Sequence, residues 1–233
     1  MEPSKLQFVV RAASAADPGR FAADVVERLA PRLLARDPAT LKLTFTARLP
    51  PRWSVIPFRR GALALVSVVP RAGGDDAEAW ARAIGDTLGP VRVEGYRVVE
   101  SIPRAYARGW PDGTRTPGTG LLTLFRRRPG QSDDDFFRAW HGGHTPLSLR
   151  IHPLWNYVRN VVVARATAAT PPRDAIVEEF FRTREDLLDP LRFFGGLGPL
   201  LPNMIRVALD IRKFIDLSSM ETWLVEELHV RSA

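Results

Sequence analysis

The chain has 233 residues, enough for one large domain or two small ones, and its 45% hydrophobic and 25% charged content is that of a globular protein with a packed core. It has no cysteine, which excludes a disulfide scaffold, a cysteine-based zinc site and a thiol nucleophile. Its opening, MEPSKLQFVVRAA, carries too short an apolar run for a signal peptide, and no stretch nears the ~18 apolar residues of a membrane span, so a cytoplasmic protein without a membrane partner is expected. The excess of 33 Lys and Arg over 26 Asp and Glu gives +7, yet only Arg126, Arg127 and Arg128 form a run and no nucleic-acid motif accompanies it. An arginine-rich composition explains that charge better than a nucleic-acid partner does.

Residues 6–12 (LQFVVRA) read as a strand. Asp17 and Pro18 then give the cap and first-turn signals of a helix over 18–36, where Phe21, Val25, Leu29 and Leu33 recur at helical spacing before Asp37 and Pro38 stop it. Residues 41–49 alternate, with Leu41, Leu43, Phe45 and Ala47 on one face and Lys42, Thr44 and Thr46 on the other. An apolar strand over 62–70, a helix over 75–88 opened by Asp75 and Asp76 and closed near Gly89-Pro90, and an alternating strand over 91–101 complete a β-α-β-β-α-β unit of ferredoxin-like order.

Residues 109–119 (GWPDGTRTPGT) have no periodicity and form the expected linker between a first half, 1–108, and a second, 120–233. After it the order repeats. A strand over 120–128 leads through Pro129-Gly130 to a helix capped by Ser132, with Asp133, Asp134 and Asp135 at the positive end of its dipole. Strands over 156–166 and 175–182, a helix from 184 and a strand over 219–230 follow. The fold class is therefore α+β, two tandem ferredoxin-like units with antiparallel sheets. The open face of each sheet needs cover, and the two sheets of one chain can supply it to each other. Residues 195–217 exceed the minimal unit; Pro202 and Asn203 start an extra helix edged by Arg206, Asp210 and Lys213, either packed on the core or serving as a lid or dimer contact.

All four histidines (His141, His144, His152 and His229) lie in the second half, so a neutral-pH proton-transfer site has one place to be. Trp140 and His144 are four apart and His141 and His144 three apart on a helix, which places an aromatic wall beside an imidazole, suited to a small, flat, oxygenated substrate. Imidazoles capping the helix end near Gly142 and Gly143 are the plainer alternative. His152 faces the same cleft or only ends the helix, and His229 is taken as structural. Tyr157 and Arg159 share one strand face and suit an oxyanion, although a rim ion pair and a core-edge tyrosine would read the same; Asn160 lies on the other face. One of Glu178 and Glu179 must face inward, where a carboxylate needs a partner such as Arg159 or a histidine. The histidine spacing is not that of a metal site. There is no GxGxxG motif, P-loop or serine nucleophile elbow.

Within LLTLFRRRPGQSDDDFFRAWHGGHTPLSLRIHPLWNYVRN (121–160), the strand, basic-Pro-Gly turn, acidic helix start, Phe136, Phe137, Trp140 and His144-Thr145-Pro146-Leu147 resemble the EthD family of the dimeric α/β-barrel proteins. Thr145 stands where the family's pattern has glycine. Asp174 to Glu178 and Phe214 to Ser218 look like the family's later segments, so the resemblance covers about 121–227, while 1–105 match by element order only. The resemblance implies an intrachain dimeric α/β-barrel with a pocket between a sheet and its helices, and Glu178 as the inward carboxylate. Relatives in that superfamily are cofactor-free monooxygenases, polyketide cyclases, dehydratases and decarboxylases.

The resulting expectation is an enzyme without cofactor or metal, acting on a small aromatic or polyketide-like substrate by lyase-type cyclisation or dehydration. His144, Tyr157, Arg159 and Glu178 would carry the chemistry, and Trp140, Phe137, His141, His152 and Asn160 would shape the pocket. Cofactor-free oxygenation, or a non-catalytic carrier serving an oxidase, are the alternatives. The protein would be a monomeric pseudo-dimer or a homodimer.

Overall fold

The computed structural model describes residues 5–13, 15–71, 74 and 76–232, so Asp75 lies outside the described residues while Asp76 caps its helix by accepting from the Ala79 amide. The strands are β1 (Lys5–Ala12), β2 (Thr40–Phe45), β3 (Leu63–Val69), β4 (Val91–Arg104), β5 (Thr119–Arg127), β6 (Asn156–Arg165), β7 (Ala175–Phe181) and β8 (Ile215–Arg231). The helices are α1 (18–34), α2 (Ala77–Leu88), α3 (133–151), the short α4 (Arg184–Leu188) and α5 (Pro190–Phe193), and α6 (Leu200–Ile211). Each half has its own antiparallel sheet, in the order β4-β1-β3-β2 and then β8-β5-β7-β6. The sheets do more than face each other. β2 pairs with β8 and β4 with β6, so both pairs of free edges join and the eight strands close into one antiparallel barrel.

Closure gives three packed regions. Outside the first sheet, α1 and α2 bury Phe21, Val25, Leu29, Trp80 and Ile84 on Phe8, Leu43 and Val66. Outside the second, α3, α4, α5 and α6 pack against Leu121, Phe125, Tyr157 and Val177. Inside the barrel, Val9, Leu65, Tyr96, Leu124, Phe180 and Trp223 form the third. The alternation in β2 follows from this. Leu41, Leu43 and Phe45 meet helices, while Lys42 and Thr44 point into the barrel rather than to solvent.

The barrel interior is polar where the halves meet. Lys42 Nζ lies 2.8 Å from Glu178 on β7 and 3.2 Å from Glu227 on β8. Burial alone would lower the Lys42 ammonium, but Glu178 and Glu227 outweigh it and hold it above its usual range. Thr44 and Asn160 donate to Glu178, Lys5 pairs with Glu100 and donates to Asn160, and Tyr106 and Thr116 donate to Glu227. Each carboxylate is thus supplied with donors, without which its burial would cost several kcal/mol (about 3–5 on losing one partner).

Two helices share one departure from α geometry. α1 widens into a π segment at Val25–Leu29 and α3 into one at Arg138–His144, and each ends two residues before an internal proline, Pro31 and Pro146. A proline has no amide hydrogen and its ring meets the carbonyl four residues back; a wide turn avoids that clash. The amides of Ala30 and Thr145 accordingly bond five residues back, to Val25 and Trp140.

Candidate active site

α3 begins as its sequence signals: Ser132 accepts from the Asp135 amide, and three aspartates occupy the first turn. Its buried face then lays Phe136 and Trp140 on the outer face of the second sheet, against Phe125 and Phe214. The π segment follows, and at its end stands His144.

His144 joins two helices. Its Nδ1 lies 3.0 Å from Asp210 Oδ2 on α6, and its Nε2 lies 3.1 Å from the Ser148 hydroxyl one turn later on α3. The hydrogen bond from His144 is the largest of the causes that hold the Asp210 carboxyl below its ordinary range, and Lys213 Nζ, 2.9 Å away, adds to it. An ionised carboxylate only accepts, so Nδ1 carries a proton, and in the neutral imidazole Nε2 then presents its lone pair to the Ser148 hydroxyl.

His144 and Ser148 line a cavity of about 260 Å³ between the sheet and α3, α5 and α6. Its walls are mainly apolar: Trp140, Phe125, Phe193, Phe194 and Phe214 on one side, Met204, Val207, Ala208 and Ile211 of α6 on another. Val55, Ile56 and Pro57, from the segment between β2 and β3, close a third side. Two more titratable groups meet this space. His152 stacks on Phe193 at 4.0 Å and its Nδ1 donates to the Phe193 carbonyl at 2.9 Å; burial pushes its imidazole down to about 4. The Glu179 carboxyl has no ion-pair or hydrogen-bond partner among the described residues, and burial pushes it up to about 7. Tyr157, opposite Glu179 in the β6–β7 ladder, also lines the cavity; burial first and Glu179 second push its phenol above its usual range.

Of the nine residues singled out from the sequence, Trp140, His144, His152 and Tyr157 meet at this cavity. Glu178 does not. It points into the barrel, bonded to Lys42, Thr44 and Asn160, and the cavity position belongs to its neighbour Glu179, because adjacent strand residues face opposite ways. Asn160, on the same face as Glu178, donates to the Ile176 carbonyl inside the barrel. Arg159 does not line the cavity either: Ser101 and Thr145 accept from it at 3.1 and 3.0 Å. Thr145, the departure from the family's glycine, is therefore what anchors that guanidinium to α3. His141 packs with its ring tilted against Trp140 and Phe137 outside the cavity, its Nε2 buried without a hydrogen-bond partner among the described residues, and burial first and Arg159 second push it down to about 4. Phe137 packs on Phe136 away from the cavity.

Asp210 and Ser148 were not among the candidates, and Glu179 stood there only as the alternative to Glu178. Ser148 is four residues after His144, so helical spacing held its signal. Glu179 required the strand's parity. Asp210 had been read as a polar helix edge, and nothing in the chain links it to His144 before α6 folds over the cavity. Among the described residues no group of three or more His, Asp or Glu is placed to hold a metal ion.

Residues 128–192 match the family described as EthD domain. No curated protein sequence matches the chain. Among solved structures, an anthrone oxidase-like protein superposes with a TM-score of 0.62 at 9% identity, covering 99% of this chain and 95% of its own. A proposed monooxygenase from Lactobacillus acidophilus NCFM gives 0.53 at 9% identity, with 99% and 98% covered. A mutant chlorite dismutase from Candidatus Nitrospira defluvii in complex with cyanide gives 0.51 at 12% identity, with 97% and 92% covered. At such identities these likenesses establish the fold. Residues 128–192, which include His144 and Ser148, thus match the EthD domain model, and they lie within a dimeric α/β-barrel fold whose two halves are in one polypeptide.

Proposed function

We propose that the protein is a cofactor-independent enzyme that removes a proton from a small aromatic or polyketide-like substrate, with His144 as the base. The observation that carries this reading is the line Asp210–His144–Ser148 opening on an apolar cavity. Asp210 fixes the imidazole tautomer and stabilises the imidazolium that forms, leaving Nε2 to take the proton once the Ser148 hydroxyl rotates aside. The negative charge then left on a substrate oxygen needs a donor in a dry site. The Tyr157 phenol and a protonated Glu179 carboxyl supply candidates, both retaining their protons to unusually high pH. A volume of about 260 Å³ lies just under the ~300 Å³ lower end of ordinary ligand pockets, which favours one small flat ligand over an extended polycycle.

The resulting enolate or phenolate leads to lyase-type cyclisation or dehydration. Cofactor-free oxygenation is the second reading, favoured by the anthrone oxidase-like and monooxygenase names of two structural neighbours. Titrating anthrone into wild-type protein and His144→Ala in deuterated buffer, with binding and exchange of its acidic methylene protons followed separately, tests the proposed proton removal. An enzyme of this kind binds in both forms and loses exchange by about a hundredfold or more in the variant. Binding without accelerated exchange in either form would favour a carrier instead.

A further inference from the structure

α6 is apolar on more than the face it needs for the cavity. Met204, Val207, Ala208 and Ile211 line the cavity, while Leu201, Ile205 and Leu209 stand outward with 65%, 60% and 56% of their surface exposed. At 100° per residue the combined apolar arc runs from Val207 to Leu209 over about 200°, far wider than the stripe a surface helix buries against its own core. Leu197, just before the helix, is 81% exposed, and Trp53 is 93% exposed, two positions before Val55, which lines the cavity together with α6.

The charges around these residues carry one sign. Arg206, Arg212 and Lys213 are exposed on or just after α6, and Arg52 is exposed beside Trp53; Arg52, Arg206 and Arg212 have no carboxylate partner among the described residues. The acidic residue of α6, Asp210, is turned inward to His144. A second copy docked ridge to ridge about a two-fold axis would oppose these cations to their own counterparts. A leucine and isoleucine ridge flanked by arginine, with a tryptophan at the same rim, matches the chemistry of a helix lying in the headgroup region of an anionic bilayer.

We infer that the outer face of α6, with the Trp53 loop, docks this protein onto anionic lipid membranes. No helix among the described residues is long and apolar enough to cross a membrane, so the contact lies on the surface, which the absence of a spanning segment in the sequence does not exclude. The same helix walls the cavity, so a lipophilic ligand dissolved in the acyl layer would enter from that side, a consequence that rests on the small-ligand reading of the cavity.

The test is flotation of the purified full chain with vesicles of phosphatidylcholine alone and of phosphatidylcholine containing phosphatidylglycerol, with thermal unfolding and light scattering in parallel. Recovery with the anionic vesicles is expected to exceed that with neutral ones at least about tenfold, and to fall by a similar factor in Ile205→Ser/Leu209→Ser and in Arg206→Glu/Arg212→Glu. These positions are exposed, so melting temperature should hold. Equal recovery with both vesicles, binding that survives both double variants, or a ridge variant that splits a dimer would overturn the inference, the last by identifying a second copy as the occupant. Vesicle binding is read without any substrate, so its failure leaves the chemistry at His144 untouched.

Discussion

His144 Nδ1 and Asp210 Oδ2 lie 3.0 Å apart although 66 positions separate them in the chain. The contact ties the π segment of α3 to α6, the helix that exceeds the minimal ferredoxin-like unit, and so sets a carboxylate of the cavity's outer wall against the proposed base. Asp210→Asn should therefore alter the imidazole without altering the fold. In nitrogen-15 spectra, the neutral form of His144 in the wild type is expected to show a protonated Nδ1 and a bare Nε2, and that of the variant a mixture of tautomers. Any turnover found should fall on the order of a hundredfold or more.

Glu179 and His152 give a stability signature of opposite signs. Burial raises the Glu179 carboxyl from 4.5 to about 7, so its contribution is full below pH 4.5 and is lost as pH rises through about 7. Burial lowers the His152 imidazole from 6.5 to about 4, so its contribution is present above pH 6.5 and is lost as pH falls through about 4. His141, also pushed down to about 4 by burial, has the same sign as His152, so between pH 4.5 and 6.5 two rising slopes oppose one falling slope. Urea denaturation across this window should then show the rise of stability with pH become steeper in Glu179→Gln and shallower in His152→Gln, each change being at most about 1.4 kcal/mol per pH unit. Parallel curves for the two variants would contradict the burial argument.

Lys42 is the common partner of Glu178 and Glu227 across the β2–β8 seam and into β7. Lys42→Met is expected to destabilise the protein by about 3–5 kcal/mol, because two buried carboxylates lose one cation. Adding Glu178→Gln should restore part of that loss. If the double variant unfolds at lower urea than the single one, the network is not held together as described.

Pro146→Ala removes the reason for the wide turn in α3. With an amide restored, the helix can bond four residues back, and the rotation this imposes should move His144 off Asp210. The expected readout is the same loss of a fixed tautomer as in Asp210→Asn, with equal or higher thermal stability.

Local signals foretold the fold well because each element carried its own. The Asp17-Pro18 and Ser132 caps, the period-2 alternation in β2 and the helical spacing of α1 needed no knowledge of the partner element. The edge-to-edge closure was not visible in the same way. The alternation of β2 does not say what its polar face meets, and only pairing with β8 and proximity to β7 turn Lys42 and Thr44 inward. The site divided along the same line. Trp140, His144, Tyr157 and His152 followed from one contiguous stretch and its resemblance to a family. Choosing Glu179 over Glu178 depended on strand parity, and linking Asp210 to His144 depended on where α6 comes to rest. Both are tertiary facts.

The proposed function requires His144, held by Asp210, to act as a base that reaches a ligand's acidic proton inside the apolar cavity. Its most direct measurement is the exchange of the methylene protons of anthrone in deuterated buffer, followed by proton NMR with and without protein. Deprotonation precedes both cyclisation-type and oxygenation chemistry, so this readout does not depend on choosing between them. Wild-type protein is expected to accelerate exchange well above buffer, and His144→Ala to lose about a hundredfold or more of that acceleration while still binding anthrone. Equal acceleration by wild type and variant, or binding of anthrone with exchange at the buffer rate in both, would contradict it.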